Sequence, residues 1–379
     1  LNASFGRSSQ WWGINTLTAN AGTGNLTIAG TNGANSNSGQ GWVRTNTLTG
    51  ALNISTNFAA GSSGAAAGTW NLTATGNSTI SGNLALAAST TSTWTVNPGL
   101  TMTDSAIISG TGNLTKAGTG LLTLSANNTY NGTTTINAGT LTANGGNAIA
   151  NASAVSVGSG AVFNLGASET VGSIAGAGNI SLASFTLTAG GDNSSTTASG
   201  VISGTGALAK TGTGALTLSG ANTYNGTTTV SAGTLKAGSI NALNSNSTFT
   251  VASGATLDLV GFNSTILNLS AGTGTITDSS ATGSGAILKI STRLSAAPTN
   301  LFTGSLGLNI VGDYILGNAN STYSGGTIYG ASATASRWIG SGTIGTMTAG
   351  VVTNGILGTG AITFGLAATD KAQFYLFSN

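Results

Sequence analysis

Residues 108–143 read ISGTGNLTKAGTGLLTLSANNTYNGTTTINAGTLTA, and they return almost unchanged at 202–237 as ISGTGALAKTGTGALTLSGANTYNGTTTVSAGTLKA. The two copies start 94 residues apart, at Ile108 and Ile202, and 27 of their 36 aligned positions are identical. Short Thr- and Leu-rich runs alternate with Gly and Asn in both. A repeat of this length indicates a stacked architecture, in which each unit buries its core against the next.

The residues between the glycines have the pattern of short β-strands. Runs of three to five residues, such as 122–124 and 256–259, alternate apolar with hydroxyl or other polar side chains and are bounded by Gly, Asn or Ser. Helix signals are almost absent. With about 20 to 25 residues per coil, the chain makes about 15 to 18 coils stacked about 4.8 Å apart. The sequence therefore predicts an all-β fold, a β-solenoid in the form of an elongated rod.

The repeat also suggests a domain organisation. Residues 108–201 and 202–297 form two repeat units, and a degenerate third copy follows, in which residues 320–328 read NSTYSGGTI. We expect residues 1–379 to form a single β-solenoid with an atypical N-terminal cap or assembly segment at 1–45. Residues 298–379 should contain the degenerate repeat and a C-terminal cap or assembly strand.

Aromatic residues are concentrated near both ends of the sequence. Trp11 and Trp12 lie in the first segment, and Phe374, Tyr375 and Phe377 lie in the last. A solenoid has an unpaired strand edge at each end, which must be capped or paired with another chain. We therefore predict that these five residues are assembly residues of a homopolymer joined through its terminal strands.

The low charge of the chain excludes several classes of partner. Only 4% of residues are charged, against about 25% in an average protein. The nine basic and seven acidic residues leave a net charge of +2 and form no basic run, so we expect no nucleic-acid binding. No apolar run reaches the roughly 18 residues of a membrane helix, so we also expect no membrane insertion. Without Cys or His, nucleophile–His dyads and soft-metal sites cannot form, and we predict no cofactor, metal or catalytic residue.

Three groups of residues have a second interpretation. A solenoid could bring Asp258 and Asp278 together on adjacent coils as a pair for glycoside hydrolysis, although isolated surface or corner positions are favoured. Lys116 and Lys210 occupy equivalent repeat positions and could form a basic ladder, although a solvated corner is favoured. Threonine runs such as 133–135 are typical of ice-binding solenoids, but the ordinary β-propensity of Thr explains them as well.

The pattern GTGxLxKxGTGxLTLSxxNTYNGTTTxxxGTL, at residues 110–141 and 204–235, closely resembles the autotransporter-associated β-strand repeat. This family, also called the passenger-associated transport repeat, occurs in bacterial surface and secreted proteins. The resemblance implies a right-handed parallel β-helix, export to the cell surface and a passenger or adhesin-like role. Repeats of this family act as spacer, stalk or scaffold, so the resemblance implies no catalytic residue.

Two non-enzymatic functions follow from these observations. In the first, the chain is a subunit of an extracellular filament, sheath or matrix, assembled end to end. Its nearly uncharged surface has little long-range repulsion to oppose such assembly. In the alternative, it is a monomeric adhesin or stalk that binds cells or glycans. A polysaccharide-degrading enzyme is the third hypothesis. The start at Leu1 leads us to expect a secreted, mature form without a signal peptide, located extracellularly or at the cell surface.

Overall fold

The computed structural model describes residues 2–4, 16–29, 44–54, 68–86, 88–280, 285–292, 299–311, 321, 323–325, 327–330, 347–348, 351–352 and 362–364. Within these ranges all regular secondary structure is β-strand. No helix among them is long and apolar enough to cross a membrane. The chain divides into two compact units, Leu1–Leu187 and Thr188–Asn379.

The strands of the first unit are short, except for two longer ones near its start. They are β1 (Asn2–Ser4), β2 (Thr16–Ala29), β3 (Arg44–Ile54), β4 (Gly68–Ala74), β5 (Ser78–Ile80), β6 (Leu84–Leu86), β7 (Thr91–Val96), β8 (Thr101–Asp104), β9 (Ile108–Gly110), β10 (Asn113–Ala117), β11 (Leu121–Leu124), β12 (Thr134–Ile136), β13 (Thr140–Ala143), β14 (Ala154–Val157), β15 (Val162–Leu165), β16 (Glu169–Val171), β17 (Ser173–Gly176) and β18 (Asn179–Ser181).

The next strand begins on the last residue of the first unit, and the others belong to the second. They are β19 (Leu187–Ala189), β20 (Thr196–Ala198), β21 (Ile202–Ser203), β22 (Leu208–Lys210), β23 (Ala215–Leu218), β24 (Thr228–Val230), β25 (Thr234–Ala237), β26 (Thr248–Val251), β27 (Thr256–Asp258), β28 (Ser264–Ile266), β29 (Asn268–Leu269), β30 (Thr275–Asp278), β31 (Ile287–Ile290), β32 (Leu301–Gly304), β33 (Gly307–Val311), β34 (Thr327–Gly330), β35 (Met347–Thr348), β36 (Val351–Val352) and β37 (Ile362–Phe364).

The strands pair in parallel with strands one turn further along the chain, except β35 and β36, which pair antiparallel. In the first unit Leu114 on β10 is opposite Thr134 on β12, which is opposite Val155 on β14. In the second unit β22, β24 and β26 pair in the same way. Most hydrogen bonds between consecutive turns join residues from 19 to 26 positions apart. This is the geometry of a β-solenoid, so the predicted fold class is confirmed within each unit.

The number of turns depends on how much of the chain is described. The described residues make about 11 turns. The predicted 15 to 18 coils referred to the whole chain, including ranges outside the described residues. The boundary between the units follows Leu187, inside the predicted repeat unit 108–201. The repeat-unit bounds, the end segments, the rod shape and the right-handed coil stay predictions.

The core consists of columns in which inward side chains of successive turns stack on one another. The strand alternation places every second residue inside, where it is almost fully buried. One column of the first unit consists of Met102, Leu122, Leu141, Phe163 and Ile180. Its counterpart in the second unit consists of Leu216, Leu235, Leu257, Ile276 and Phe302. Apolar burial in these columns and backbone pairing between turns stabilise the fold.

Candidate functional site

Lys116 is fully buried in the core of the first unit. Its Nζ donates hydrogen bonds to the carbonyls of Ala117 at 2.9 Å, Gly118 at 2.7 Å and, one turn further, Ala138 at 3.1 Å. An ammonium has three N–H donors, and each of them has an acceptor here. Burial lowers the pKa of Lys116 to about 8. The group therefore remains largely charged at neutral pH and ties the corners of two turns together.

Lys210 repeats this arrangement in the second unit, where it is also buried. Its Nζ donates to the carbonyls of Thr211, of Gly212 at 2.9 Å and of Ala232 at 3.3 Å. Burial lowers the pKa of Lys210, and the nearby charge of Asp192 opposes that shift. The expectation of solvated corner lysines was wrong. Each lysine stem lies on the inner side of its strand, and only the ammonium reaches the corner.

Asn128 and Asn222 join consecutive turns with their side-chain amides. Asn128 Oδ1 accepts the amide of Ile108 at 2.7 Å, and its Nδ2 donates to the carbonyl of Ala148 at 2.6 Å. Asn222 makes the equivalent bonds at 2.8 and 2.7 Å, to residues 94 positions further along the sequence. Both side chains are buried. Each amide binds one backbone N–H and one backbone carbonyl at a corner, where these groups have no partner on a neighbouring strand.

The repeated tyrosines begin buried chains of hydroxyl groups. Tyr130 Oη lies 2.6 Å from Thr134 Oγ1, which lies 2.9 Å from Ser153 Oγ on the next turn. The second copy has distances of 2.7 and 3.0 Å, from Tyr224 Oη to Thr228 Oγ1 and on to a serine. Burial raises the pKa of Tyr130, and it raises that of Tyr224 to about 12. Both phenols are therefore neutral hydrogen-bonding groups inside the solenoid.

The glycine of each Asn-Gly corner lies against the backbone of the preceding turn. A Cβ atom on Gly132 would lie 2.1 Å from the carbonyl oxygen of Gly112, and one on Gly226 would lie 2.1 Å from that of Gly206. No side chain fits at that distance. The glycines are therefore required by the close approach of two turns.

Asp258 on β27 and Asp278 on β30 lie on paired strands one turn apart, but neither carboxylate is free. Asp258 accepts both the amide and the hydroxyl of Ser279, at 3.1 and 2.7 Å. Asp278 accepts the amides of Gly261 and Ala286, at 2.8 and 2.7 Å. Burial raises the pKa of Asp278, but these hydrogen bonds outweigh burial and hold the pKa below its ordinary value. The lowered pKa makes Asp278 a poor general acid, and both carboxylates are bound to turn groups, so the pair does not have the arrangement that glycoside hydrolysis requires.

Asp104 occupies an inward position between Ile80 and Leu124 on the flanking strands. It is fully buried, its Oδ1 accepts the amide of Ala106 at 3.0 Å, and its Oδ2 has no hydrogen-bond partner. Burial raises the pKa of Asp104 to about 7, against the lowering effect of the Ala106 bond. The second copy has Ala198 at this position, 94 residues further along.

Glu169 is buried in the same unit, and its carboxylate accepts two backbone amides at a turn. Its Oε2 accepts the amide of Ala148 at 3.2 Å, and its Oε1 accepts that of Ile149 at 3.0 Å. Burial raises the pKa of Glu169 to about 7, although both hydrogen bonds lower it. Across the described residues, no group of three or more His, Cys, Asp or Glu could hold a metal ion.

Two columns of side chains lie on one outer face of the first unit, which we call the threonine face. This face is formed by β5, β8, β11, β13, β15 and β18. The first column consists of Thr79, Thr103, Thr123, Thr142, Asn164 and Ser181. The second consists of Thr101, Leu121, Thr140, Val162 and Asn179. Asn164 Nδ2 donates to Thr142 Oγ1 at 3.3 Å. No member of either column is charged.

The equivalent strands of the second unit carry an ion pair at two of these positions. Lys236 is opposite Asp258 where Thr142 is opposite Asn164 in the first unit. The Lys236 Nζ lies 4.0 Å from Asp258 Oδ2. The same turn geometry therefore accepts either a neutral or a charged pair.

The predicted assembly residues Trp11, Trp12, Phe374, Tyr375 and Phe377 lie outside the described residues. Their role in joining chains stays a prediction.

The comparisons with known proteins agree with the geometry of the repeated stretch. The passenger-associated-transport-repeat family matches residues 114–143 and 208–237. The chain contains two passenger-associated transport repeats. Each matched range holds the buried lysine, the corner asparagine, the tyrosine–threonine pair and the close-packed glycine, so the shared residues of the two copies have structural roles in this chain.

A longer similarity extends beyond the two passenger-associated transport repeats. The chain is 39% identical over 238 residues to the adhesin BmaC autotransporter of Brucella suis biovar 1 (strain 1330). That alignment covers 61% of this chain and 7% of the relative, so the chain spans a small part of the length of that protein. No solved structure matches the chain.

Proposed function

We propose that this chain is part of the passenger region of a cell-surface adhesin, and that its solenoid is a non-catalytic scaffold that displays a binding surface. The observation that carries the proposal is the 39% identity to an autotransporter adhesin over 238 residues. This similarity extends well beyond the two repeats. It supports the adhesin or stalk hypothesis more strongly than the filament hypothesis.

The chemistry of the described residues supports a non-enzymatic role. The acids with described side chains in the first unit are buried in the core or at a corner, and Asp258 and Asp278 are bound to amides and hydroxyls at turns. The two repeated lysines bind carbonyls. Charged side chains committed to backbone groups in this way stabilise turns and are not available to act on a substrate.

A location at the cell surface or outside the cell follows from the same proposal. The passenger-associated transport repeats and the adhesin relative support it. A fold held by hydrogen bonds and apolar columns needs no disulfide, and the chain has no Cys. The stacked turns of each unit present a side surface, which suits contact with another surface better than enclosure of a small molecule.

Adhesion of coated beads tests this function. Latex beads carrying residues 1–379 should adhere to cultured animal cells or to bacterial cells more than beads carrying a heat-unfolded sample of the same protein. Equal adhesion of folded-protein and blank beads on every surface tried would overturn the proposal.

The filament hypothesis makes a separate prediction. End-to-end assembly should give polymers in electron micrographs of purified protein, and deletion of residues 1–15 or 371–379 should abolish them without reducing bead adhesion. Isolated particles at all concentrations would contradict assembly and leave the adhesin proposal intact.

A further inference from the structure

The threonine face of the first unit is a regular array of groups that form hydrogen bonds. Neighbours in each column lie one strand apart, about 4.8 Å. The Thr103 and Thr123 hydroxyls have no hydrogen-bond partner among the described residues, so they are available to water or a ligand. Threonine also exposes a methyl group, and Leu121 and Val162 add apolar surface to the second column. The face therefore offers hydroxyl and small apolar contacts in alternation.

No charged side chain described in the first unit is exposed beside this face. Residues 45–191 contain only Asp104, Lys116 and Glu169 as charged residues, and all three are buried. A polyanion such as a sulfated glycan, a nucleic acid or an anionic membrane needs exposed cations for binding. The face has none, so its chemistry fits an uncharged partner.

A protein partner fits this face poorly. Protein interfaces rely on aromatic, Met or Arg residues that fill pockets at their centre. Neither column contains such a residue. The exposed large hydrophobic residues of the described chain are Ile107 and Ile240, and both lie outside the face.

We infer that the threonine face binds a linear, uncharged polysaccharide that lies along the direction of strand stacking. A pyranose ring has an apolar C–H face and a rim of hydroxyl groups, which match the methyl and hydroxyl groups of the two columns. Each hydroxyl contact contributes only about 1 kcal/mol, but a polymer repeats the contact on successive turns and gains avidity. This inference rests on the proposed function, because it names the class of partner for the displayed surface.

The second unit supplies the substitutions that test the inference without destroying the fold. Lys236 and Asp258 occupy the positions equivalent to Thr142 and Asn164 and are accepted by the same turn geometry. The double variant Thr142→Lys/Asn164→Asp places this ion pair in the middle of the threonine face. The matched control is Lys236→Thr/Asp258→Asn, which places the neutral pair in the second unit.

Native gel electrophoresis in gels cast with polysaccharide measures the binding. The probes are hydroxyethylcellulose, dextran and a neutral galactan, with carboxymethylcellulose as a charged counterpart. We expect at least one neutral polymer to retard the protein at both low and high salt, and carboxymethylcellulose to retard it less. The Thr142→Lys/Asn164→Asp variant should bind at least about tenfold more weakly, and Lys236→Thr/Asp258→Asn should bind at least as well as the parent.

Two outcomes would overturn the inference. These are retardation by none of the neutral polymers, or equal retardation of parent and Thr142→Lys/Asn164→Asp, whether or not that variant changes self-association in sedimentation. Bead adhesion separates this failure from failure of the proposed function. Beads that adhere to cells equally with parent and variant protein would retain the adhesin function and exclude the threonine face as its polysaccharide site.

Discussion

Lys116 Nζ lies 3.1 Å from the carbonyl oxygen of Ala138, one turn further along the solenoid. The same ammonium also binds two carbonyls of its own turn, Ala117 and Gly118. A buried cation is costly unless its donors are satisfied, and here all three have acceptors. The most hydrophilic residue of the repeat is therefore part of its core.

Substitution of this lysine should therefore be costly. Lys116→Met keeps an unbranched stem but leaves three carbonyls without their donor, and should destabilise the surrounding turns by about 2 to 4 kcal/mol. Native-state hydrogen exchange of the flanking strands measures this locally. Lys236→Met is the control. The Lys236 side chain is 39% exposed and pairs with Asp258 alone among the described residues, so its loss should cost less than about 1 kcal/mol. Equal effects of the two variants would contradict the structural role of Lys116.

The tyrosine hydroxyls should contribute less to the stability of the fold than the buried Lys116 ammonium. Tyr130→Phe removes one hydroxyl from a chain in which Thr134 keeps its bond to Ser153. We expect a loss of about 1 kcal/mol in unfolding free energy, measured by urea titration. Tyr224→Phe should give a similar loss, because its hydroxyl chain has the same geometry. A loss confined to one of the two variants would show that the two repeats differ in this interaction.

The corner glycine provides a purely steric test. Gly132→Ala places a Cβ 2.1 Å from the Gly112 carbonyl oxygen, so two turns must separate, at a cost of at least about 2 kcal/mol in thermal or urea unfolding. Gly191→Ala is the control, because nothing lies within 4 Å of a Cβ built there. That variant should change stability by less than about 0.5 kcal/mol. A stable Gly132→Ala protein would contradict the close approach of the two turns.

Asp104 should make the first unit less stable as pH rises towards neutrality. Its folded pKa of about 7 lies above the ordinary value of 3.8, so the folded state holds a proton that the unfolded chain has already released. Stability should therefore fall between about pH 4 and pH 7, by roughly 4 kcal/mol for this group.

Asp104→Asn keeps the shape and removes the titration, so the slope of stability against pH should decrease in urea unfolding at several pH values. The slope left in that variant would belong largely to Glu169, whose pKa is also raised to about 7. Asp104→Ala copies Ala198 of the second unit and should fold. An unchanged pH slope in both variants would contradict the burial of a protonated carboxyl.

Much of the fold could be predicted from the sequence because the relevant signals are local. Alternation of apolar and hydroxyl residues fixes which side chains enter the columns, and the repeated spacing fixes the stacking of turns. The same alternation places Lys116 two residues after Leu114, on the inner side of the strand. Its burial was nevertheless missed, because the sequence does not show which carbonyls converge on the ammonium.

The acids show a second limit of sequence reasoning. The sequence favoured isolated surface or corner positions for Asp258 and Asp278 and kept their adjacency as an alternative; the strands that carry them are in fact one turn apart. Their role depends on amides and hydroxyls at turns, such as that of Ser279, whose positions no local pattern gives. Likewise, the sequence could not predict that the threonine face has no charged neighbour, because this depends on the burial of the three charged residues of 45–191.

The central claim is that the repeat residues build the interior and that the outer surface performs the function. Bead adhesion per folded molecule tests this claim most directly. It compares Tyr130→Phe with Thr142→Lys/Asn164→Asp at a temperature where both are folded. We predict that Tyr130→Phe lowers stability and leaves adhesion unchanged, whereas the double variant keeps its stability and loses adhesion. Loss of adhesion in folded Tyr130→Phe, with adhesion retained in the double variant, would contradict that claim.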